Sequence, residues 1–338
     1  MRRIDYFIQK LFYAFLTILV VIVFNFFLFR ILPGDPVALM VHGRRMTREA
    51  QERMTVTFGL DKPVWFNQEE MDQGSIIRAV TQTQFAAYIR GLLHGDLGIS
   101  FANREDVSQI LAERTWRTVV LILSGEVVAI VFGMIVGIIG AWKRGTRFDA
   151  GVLLVALITW AIPTFFLGIL LLILSRGLLP AGGMVQPGLK PENGMEYWLD
   201  LGRHLILPTI TIAVVYTGSY IMIMRSSMLE VLTQDYIFAA KAKGLRTGYV
   251  LRKHALKNAM LPMITAIALA LGFSVGGAIQ VETVFSWPGL GRLMFDSVNQ
   301  QDYPVLQGVF LLLAISVILA NFLADIFYSI LDPRIQVE

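Results

Sequence analysis

Residues 118–142, TVVLILSGEVVAIVFGMIVGIIGAW, decide the fold because they are predominantly apolar and contain only one charged side chain, Glu126. An α-helix rises about 1.5 Å per residue and the hydrocarbon core of a bilayer is about 30 Å thick, so about 20 apolar residues are needed to cross it. This segment exceeds that length. The sequence therefore predicts a transmembrane helix here.

The rest of the chain repeats this pattern. Of its 338 residues, 55% are hydrophobic and 16% are charged, whereas about a quarter of the residues in a water-soluble domain are charged. Stretches long enough to cross a bilayer lie at residues 11–32, 118–142, 150–175, 204–224, 260–281 and 305–331. We predict an all-α polytopic membrane protein with six transmembrane helices.

Basic residues are distributed unevenly among the short loops, and this distribution predicts the orientation in the membrane. The first ten residues, the turn at 143–149 and the loop at 225–258 are rich in Lys and Arg, whereas the segment 282–304 contains only Arg292. We therefore expect the three basic segments in the cytoplasm and residues 282–304 outside. Six spans then place both termini in the cytoplasm, in a plasma or inner membrane.

Polarity also predicts the domain boundaries. Residues 1–32 form a cytoplasmic tail with the first span, residues 118–331 form the other five spans with the cytoplasmic loop 225–258, and residues 332–338 form a second cytoplasmic tail. The remaining part, residues 33–117, is too charged to enter lipid, so we expect a small helical extracytoplasmic domain between spans one and two.

Two helices can be placed within this external domain. Thr47 can cap a helix that ends at Gly59, where glycine accepts a positive φ. A later helix before Gly95 is indicated by apolar residues that recur on one face, namely Phe85, Tyr88, Ile89 and Leu92.

Two acidic side chains lie inside predicted spans, Glu126 in the second and Asp325 in the sixth. A charge at the bilayer centre costs about 2.5–3.5 kcal/mol on the insertion scale, so each must face protein or water. Two interpretations stay open: these residues line a translocation path, or each pairs with a neighbouring helix.

The cytoplasmic loop contains the sequence TQDYIFAAKAKGL, residues 233–245. Thr233 or Asp235 can cap a short helix there, and Gly244 can end it. The loop therefore carries a helix of its own between the fourth and fifth spans.

Small residues give this short helix a narrow side. Ala239, Ala240 and Lys243 are expected to lie together, with the lysine near the helix C terminus, where the helix dipole favours a cation. Such a shape fits a groove on another protein. The alternative is an amphipathic connector that lies on anionic lipid.

The loop resembles the EAA loop of ATP-binding-cassette (ABC) importer permeases, in the form found in the dipeptide and oligopeptide group. That form reads roughly A-x-A-K-G-L, followed by H-A-L-x-N-A-x-x-P. The matching residues here are Ala240, Ala242, Lys243, Gly244, Leu245, His254, Ala255, Leu256, Asn258, Ala259 and Pro262. Phe238 stands where the wider motif has its acidic residue, as is usual in the peptide group.

Further blocks extend the resemblance over nearly the whole chain. They are LPGDP at 32–36, GLDKP at 59–63, HGDLGIS at 94–100, VETVF at 281–285, WPGLG at 287–291, DYP at 302–304 and DPR at 332–334. The sequence departs from the family in the polar stretch 67–83, which is longer than the usual connector between the second and third blocks.

The resemblance implies a type I ABC importer permease core. It implies that the loop helix contacts ATPase subunits, with coupling residues Asp235, Ala239, Ala240, Lys243 and Gly244. It also implies a second homologous permease subunit, two ABC ATPases, an external substrate-binding protein and peptide cargo. Because the chain has no G-x-x-x-x-G-K-[ST] sequence, ATP must be hydrolysed on separate chains. Related permeases carry glutathione, nickel chelates or oligosaccharides, so these cargoes stay as alternatives.

An intramembrane enzyme is the main alternative from another class, because such enzymes also place a few polar groups within several spans. The sequence has four scattered histidines, no cysteine, and neither H-E-x-x-H nor G-x-S-x-G. An ion channel is a further alternative, although no filter-like repeat is present. We expect no catalytic residue, metal or cofactor, a lipid-bilayer environment, and no nucleic-acid partner.

Overall fold

The computed structural model of the protein describes residues 3–31, 61–274 and 278–331. Three predicted features lie outside these residues: the LPGDP block, the helix between Thr47 and Gly59, and the DPR block with its C-terminal tail.

Helices dominate the described residues. Their bounds are α1 Arg3–Ile31, α2 Gln68–Asp72, α3 Ile76–Thr81, α4 Gln84–Leu93, α5 Val107–Trp142, α6 Arg147–Ala161, α7 Thr164–Ser175, α8 Met195–Leu232, α9 Asp235–Ala242, α10 Thr247–Val250, α11 Leu256–Ser274, α12 Ile279–Val284, α13 Leu290–Gln300 and α14 Tyr303–Leu331. One 3-10 turn covers Pro191–Asn193, and a π-helical turn, Leu251–Ala255, joins α10 to α11. In the described ranges the only β-pairing is an isolated bridge between Ile99 and Asp106. The all-α prediction is confirmed.

Five helices among the described residues are long and apolar enough to cross a membrane, and a sixth span is added if α6 and α7 count as one. The five are α1, α5, α8, the run from α10 to α11, and α14. Two of them exceed the predicted spans by more than ten residues, since α5 begins at Val107 and α8 covers Met195–Leu232. Hydropathy marks the residues suited to lipid, whereas the helical backbone continues through polar flanks.

The third and fifth predicted spans are interrupted. In place of one helix over 150–175, α6 and α7 meet at an angle of 97°. Ile162 adopts an extended conformation before Pro163, because proline lacks an N–H and disfavours the helical conformation in the preceding residue. In place of one helix over 260–281, α11 ends at Ser274 and α12 is a separate helix.

The chain forms two compact units. One unit contains the beginning of α1, residues 115–292 and the end of α14. Within it α5 and α8 approach closely, since a Cβ at Gly133 would overlap Tyr220 and one at Gly137 would lie 2.8 Å from the Cβ of Met224. Glycine at these two positions therefore allows the helix backbones to pack together.

The other unit contains residues 16–114, as far as they are described, and residues 293–315. Its helix α4 confirms the predicted helix before Gly95, which has φ +73°, and Thr83 caps it by accepting a hydrogen bond from the Ala86 N–H at 3.1 Å. Tyr88 of α4 accepts a hydrogen bond from Asn25 of α1 at 3.3 Å, and burial raises the pKa of the Tyr88 hydroxyl. The helix is thus anchored to the first span.

A buried aspartate organises another part of the same unit. Asp302, which is 2% exposed, accepts hydrogen bonds from the Ser100 hydroxyl at 2.5 Å and from the Phe101 N–H at 3.0 Å. These bonds join the predicted HGDLGIS and DYP blocks, which are about 200 residues apart in sequence.

Candidate functional site

The short helix predicted in the cytoplasmic loop is α9. Its N-cap is Gln234, whose side chain makes no capping hydrogen bond. Thr233 does not cap it, because its hydroxyl donates to the Glu230 carbonyl at 2.7 Å and so completes the end of α8. Asp235 lies in the first turn of α9, where the helix dipole stabilises a carboxylate.

The end of α9 agrees with the prediction. Gly244 has φ +75°, and its N–H donates to the Lys241 carbonyl at 2.9 Å. No atom lies within 4 Å of the position that a Gly244 Cβ would occupy. Glycine is therefore favoured here by its backbone conformation and not by lack of space.

One face of α9 packs into the protein. Ile237 and Ala240 are buried in an apolar cluster with Met228 and Val231 of α8 and Ala259 of α11. We call this the α9 seat. Its apolar side chains hold α9 against two long helices.

The three residues expected on the narrow side of α9, Ala239, Ala240 and Lys243, differ in burial. Ala240 faces the α9 seat, whereas Ala239 and Lys243 are exposed. Successive residues of a helix are rotated by about 100°, so two adjacent alanines need not share an environment. Ala240 therefore packs inside this chain, and its assignment to the contact with an ATPase stays a prediction.

Two hydrogen bonds reinforce the α9 seat. The Asn258 side chain donates to the Tyr236 hydroxyl at 2.7 Å, and the Ser227 hydroxyl donates to the Ala259 carbonyl at 2.8 Å. The first bond joins α9 to α11 and the second joins α8 to α11. Asn258 belongs to the second half of the loop motif, so the two halves of that motif meet in the structure.

The outer face of α9 is available to a partner. Phe238 is 56% exposed, and the Lys241 ammonium lies 5.9 Å from the centre of its ring. Ala239 lies beside it in the sequence and is exposed. A small residue next to an aromatic one gives an uneven apolar surface with a cation at its edge.

The two acidic residues predicted for a translocation path have different partners. Glu126 is buried and accepts a hydrogen bond from the Tyr220 hydroxyl of α8 at 2.7 Å. Asp325 forms an ion pair with Lys10 of α1 at 2.8 Å. Each residue therefore pairs with a neighbouring helix, as the second of the two open interpretations predicts.

A second candidate site centres on Glu282, which the sequence placed in a motif but not in a role. Its carboxylate is fully buried and accepts hydrogen bonds from the Thr118 hydroxyl at 2.8 Å and from the backbone N–H of Arg292 at 2.9 Å. Thr118 in turn accepts from the Leu290 N–H at 2.7 Å. A Cβ at Gly289 would overlap the carboxylate. We call this group the Glu282 site.

Sequence reasoning also missed an ion pair between α6 and α8. Arg225 donates from Nε and Nη2 to the two oxygens of Asp149, at 2.6 and 2.8 Å. Asp149 also accepts from the Gly145 N–H at 3.0 Å. Both residues lie in segments predicted to be cytoplasmic. This common location is the sequence feature that could have indicated the ion pair.

Within the described ranges no cluster of three His, Asp or Glu side chains is arranged to bind a metal ion. Within each candidate site, the polar side chains form hydrogen bonds to one another and to backbone groups. The arrangement supports the docking of helices and transmission of motion between them.

Comparisons with known proteins cover nearly the whole chain. The family model described as "Binding-protein-dependent transport system inner membrane component" matches residues 129–337, and the N-terminal model of the same type of component matches residues 3–122. The "Dipeptide transport system permease protein DppB" of Escherichia coli (strain K12) is 36% identical over 95% of this chain and 95% of its own length.

A glutathione permease and a solved transporter structure are also similar to this chain. The "Glutathione transport system permease protein GsiC" of Pectobacterium atrosepticum is 36% identical over 98% of this chain and 99% of its own length. A solved structure of the MetNI methionine ABC transporter in an inward-facing conformation matches with a TM-score of 0.51 at 19% identity, over 66% of this chain and 97% of that chain. At this identity the structural match supports the fold alone.

Proposed function

The chain belongs to the family of binding-protein-dependent transport system inner membrane components, and from this premise we propose that it forms half of a translocation path for dipeptides or oligopeptides. It is the permease subunit of an ABC importer and not an enzyme, since ATP is hydrolysed on a separate subunit. Peptide cargo is supported by the names of the dipeptide and di/tripeptide permeases that it resembles.

The proposed assembly has five further components. A second, homologous permease subunit completes the path, two ABC ATPases bind the cytoplasmic face, an extracytoplasmic binding protein delivers the peptide, and the bilayer surrounds the spans. Glutathione is the second candidate cargo, because a glutathione permease has the same identity to this chain as the dipeptide permease.

The observation that carries the coupling role is the two-faced packing of α9. Its inner face, with Ile237 and Ala240, is fixed to the α9 seat, and its outer face presents Phe238 and Ala239. A partner that contacts the outer face therefore acts on α8 and α11 through side chains already in contact. This is the property required of an element that converts ATPase closure into movement of spans.

The movement can be traced further along α8. Arg225 joins α8 to α6 through Asp149, and Tyr220 joins it to α5 through Glu126. Displacement of α9 therefore reaches α8 and, through it, α5 and α6. We infer that these helices rock together between inward and outward access, whereas a path lined by Glu126 and Asp325 stays a prediction.

Both termini are proposed to be cytoplasmic, and the cysteine-free chain makes this testable. A single cysteine at Thr247 should react with a membrane-impermeant thiol reagent only after cells are opened. A cysteine at Gln73 should react in intact cells whose outer layer admits the reagent. Gln73 is a better site than Gly74, whose φ of +81° disfavours any side chain. Reversed labelling would contradict the proposed topology.

The cargo is tested by uptake. In cells that lack their own copy of this subunit but retain its partners, the chain should restore uptake of a radiolabelled dipeptide, and this uptake should require the binding protein. Unlabelled dipeptide should compete more strongly than glutathione. Stronger competition by glutathione would identify the second candidate cargo, and no restored uptake of either would contradict both.

A further inference from the structure

The hairpin formed by α2 and α3 carries an apolar face that is largely exposed. Ile76, Ile77 and Val80 of α3 are all exposed, and Ile77 is 78% exposed. In a helix these three positions fall within an arc of about 100°. Ala79, which lies outside this arc, is fully buried. The hairpin therefore turns its large aliphatic side chains outward and its small one inward.

Backbone hydrogen bonds hold the hairpin in place. The Asn67 N–H donates to the Ala79 carbonyl at 2.9 Å, which closes the hairpin. The N–H groups of Gln84 and Phe85 donate to the carbonyls of Pro63 and Val64 at 3.0 and 3.1 Å. The exposed face is thus a fixed surface attached to α4.

Aromatic contacts set the depth of the hairpin relative to the first span. The Trp65 ring stacks on Phe27 with a centroid separation of 3.8 Å and lies edge-on to Phe26 at 5.2 Å. The candidate span in α1 covers Phe7–Phe29, so Phe27 lies at its end. Tryptophan is enriched at this level of a membrane protein, where hydrocarbon meets the headgroups.

The distance from Trp65 to the apolar face is short. Asn67 is two residues from Trp65, a span of at most about 7 Å of extended chain, and Asn67 bonds directly to α3. The headgroup layer on each side of a bilayer is about 5–7 Å thick. The hairpin therefore starts within or next to this layer.

We propose that the exposed face of α3 lies in the membrane surface, with Ile76, Ile77 and Val80 at the boundary between headgroups and acyl chains. Phe24 and Leu28 of α1, near the same end of the first span, are exposed apolar residues of the same unit. Arg78 is exposed on the side of α3 away from the apolar residues, from which its long side chain can reach lipid phosphates. The hairpin acts as an amphipathic anchor that fixes the end of the first span.

The size of the face favours lipid over a protein partner. A standard protein interface buries about 800 Å² on each partner, and three aliphatic side chains on a helix of six residues supply only a fraction of that area. Lipid requires no matching surface. The anchor occupies the stretch 67–83, where the sequence is longer than the usual connector of the family.

The proposal is tested with an environment-sensitive fluorophore on single cysteines in the full chain, reconstituted in nanodiscs of phosphatidylcholine and phosphatidylglycerol. The test position is Ile77→Cys. The control in water is Asp72→Cys on α2, and the control in lipid is Phe24→Cys on α1; all three residues are exposed. Emission from position 77 should be shifted to the blue relative to position 72, and it should be quenched by lipids with a nitroxide near the headgroup.

Iodide in solution should quench position 72 more than position 77. Equal iodide quenching at the two positions, with no effect of nitroxide lipid at 77, would overturn the proposal. A blue shift at 77 that arises only after the binding protein or the second permease is added would also overturn it, because a protein would then cover the face. Ile76→Cys serves as a second test position and should behave as position 77 does.

Discussion

The α9 seat and the Glu282 site hold short segments against long helices by opposite means. At the α9 seat, Ile237 and Ala240 pack against apolar side chains. At the Glu282 site, a fully buried carboxylate is surrounded by donors from Thr118 and Arg292. The α9 seat is made mainly by apolar packing, with one hydrogen bond from α9 to α11, whereas the Glu282 site is made by hydrogen bonds of fixed direction to a buried charge.

The difference predicts different mechanical behaviour. Apolar packing has no preferred direction, so α9 can shift slightly on its seat and still move α8 and α11. A buried carboxylate must keep all its donors, because an unsatisfied buried group is costly. The Glu282 site should therefore behave as a fixed joint, and the α9 seat should behave as a contact that transmits motion.

The largest effect is expected from Glu282→Ala. It leaves the Thr118 hydroxyl and the Arg292 N–H without this acceptor, at a cost of about 1–3 kcal/mol for each orphaned donor. The thermal unfolding temperature of the purified chain should fall further than after any single substitution at the α9 seat. Glu230→Ala, at an exposed position near the C terminus of α8, is the control and should not lower it, because the helix dipole gives no support to a carboxylate there. An unaltered unfolding temperature for Glu282→Ala would remove the contrast between the two sites.

The next largest effect is expected from Gly289→Ala. The added methyl group overlaps the Glu282 carboxylate, and overpacking of this kind costs about 1–3 kcal/mol. Gly151→Ala is the matched control, because no atom lies within 4 Å of its Cβ position in α6; it should be neutral or stabilising. If the two variants unfold at the same temperature, the Glu282 site is less tightly packed than its geometry indicates.

The two adjacent alanines of α9 sharpen the comparison within one helix. Ala240→Leu overpacks the α9 seat and should lower both stability and transport, at a cost of about 1–3 kcal/mol. Ala239→Leu adds bulk only to the exposed face, so it should leave stability unchanged and reduce co-purification of the ATPase subunits. By the rule of about 1.4 kcal/mol per tenfold change, a similar steric cost at the ATPase groove lowers occupancy about five- to a hundredfold. Normal co-purification of the ATPase subunits and normal transport with Ala239→Leu would contradict this contact and favour the alternative, in which α9 is a connector on the lipid surface.

The smallest effect is expected from Gly244→Val. No neighbour would be displaced, so the cost comes only from the left-handed backbone, about 1–2 kcal/mol. Amide hydrogen exchange in the last turn of α9 should accelerate about five- to thirtyfold by the same free-energy rule. Gly248→Ala, which adds a methyl group to open space without a positive φ, should leave exchange unchanged. Equal exchange in both variants would show that Gly244 does not end the helix.

The sequence was sufficient for features that depend on local composition. Apolar length predicted the spans, and the pattern around Gly244 predicted both α9 and its end. The sequence did not predict which distant residues pair. Thr118 and Glu282, for example, are separated by 164 positions and meet only after the chain has folded. The same holds for Lys10 with Asp325 and for Arg225 with Asp149.

The orientation of α9 shows the limit most clearly. Its eight residues contain alanines at 239, 240 and 242, so no hydrophobic stripe distinguishes the inner face. The buried side is set by where Ile237 meets α8 and α11, which is a tertiary property. Local sequence could therefore locate α9 but could not say which alanine faces outward.

The central claim, that the outer face of α9 contacts an ATPase subunit, is tested most directly by site-specific photo-cross-linking. Phe238, replaced by p-benzoylphenylalanine in the assembled importer, should form a cross-link to an ATPase subunit, because its side chain is 56% exposed beside Ala239. The same replacement at Phe165, which is exposed on the apolar helix α7, should give none. Cross-linking of position 238 to lipid alone, with the ATPase subunits present, would contradict the claim.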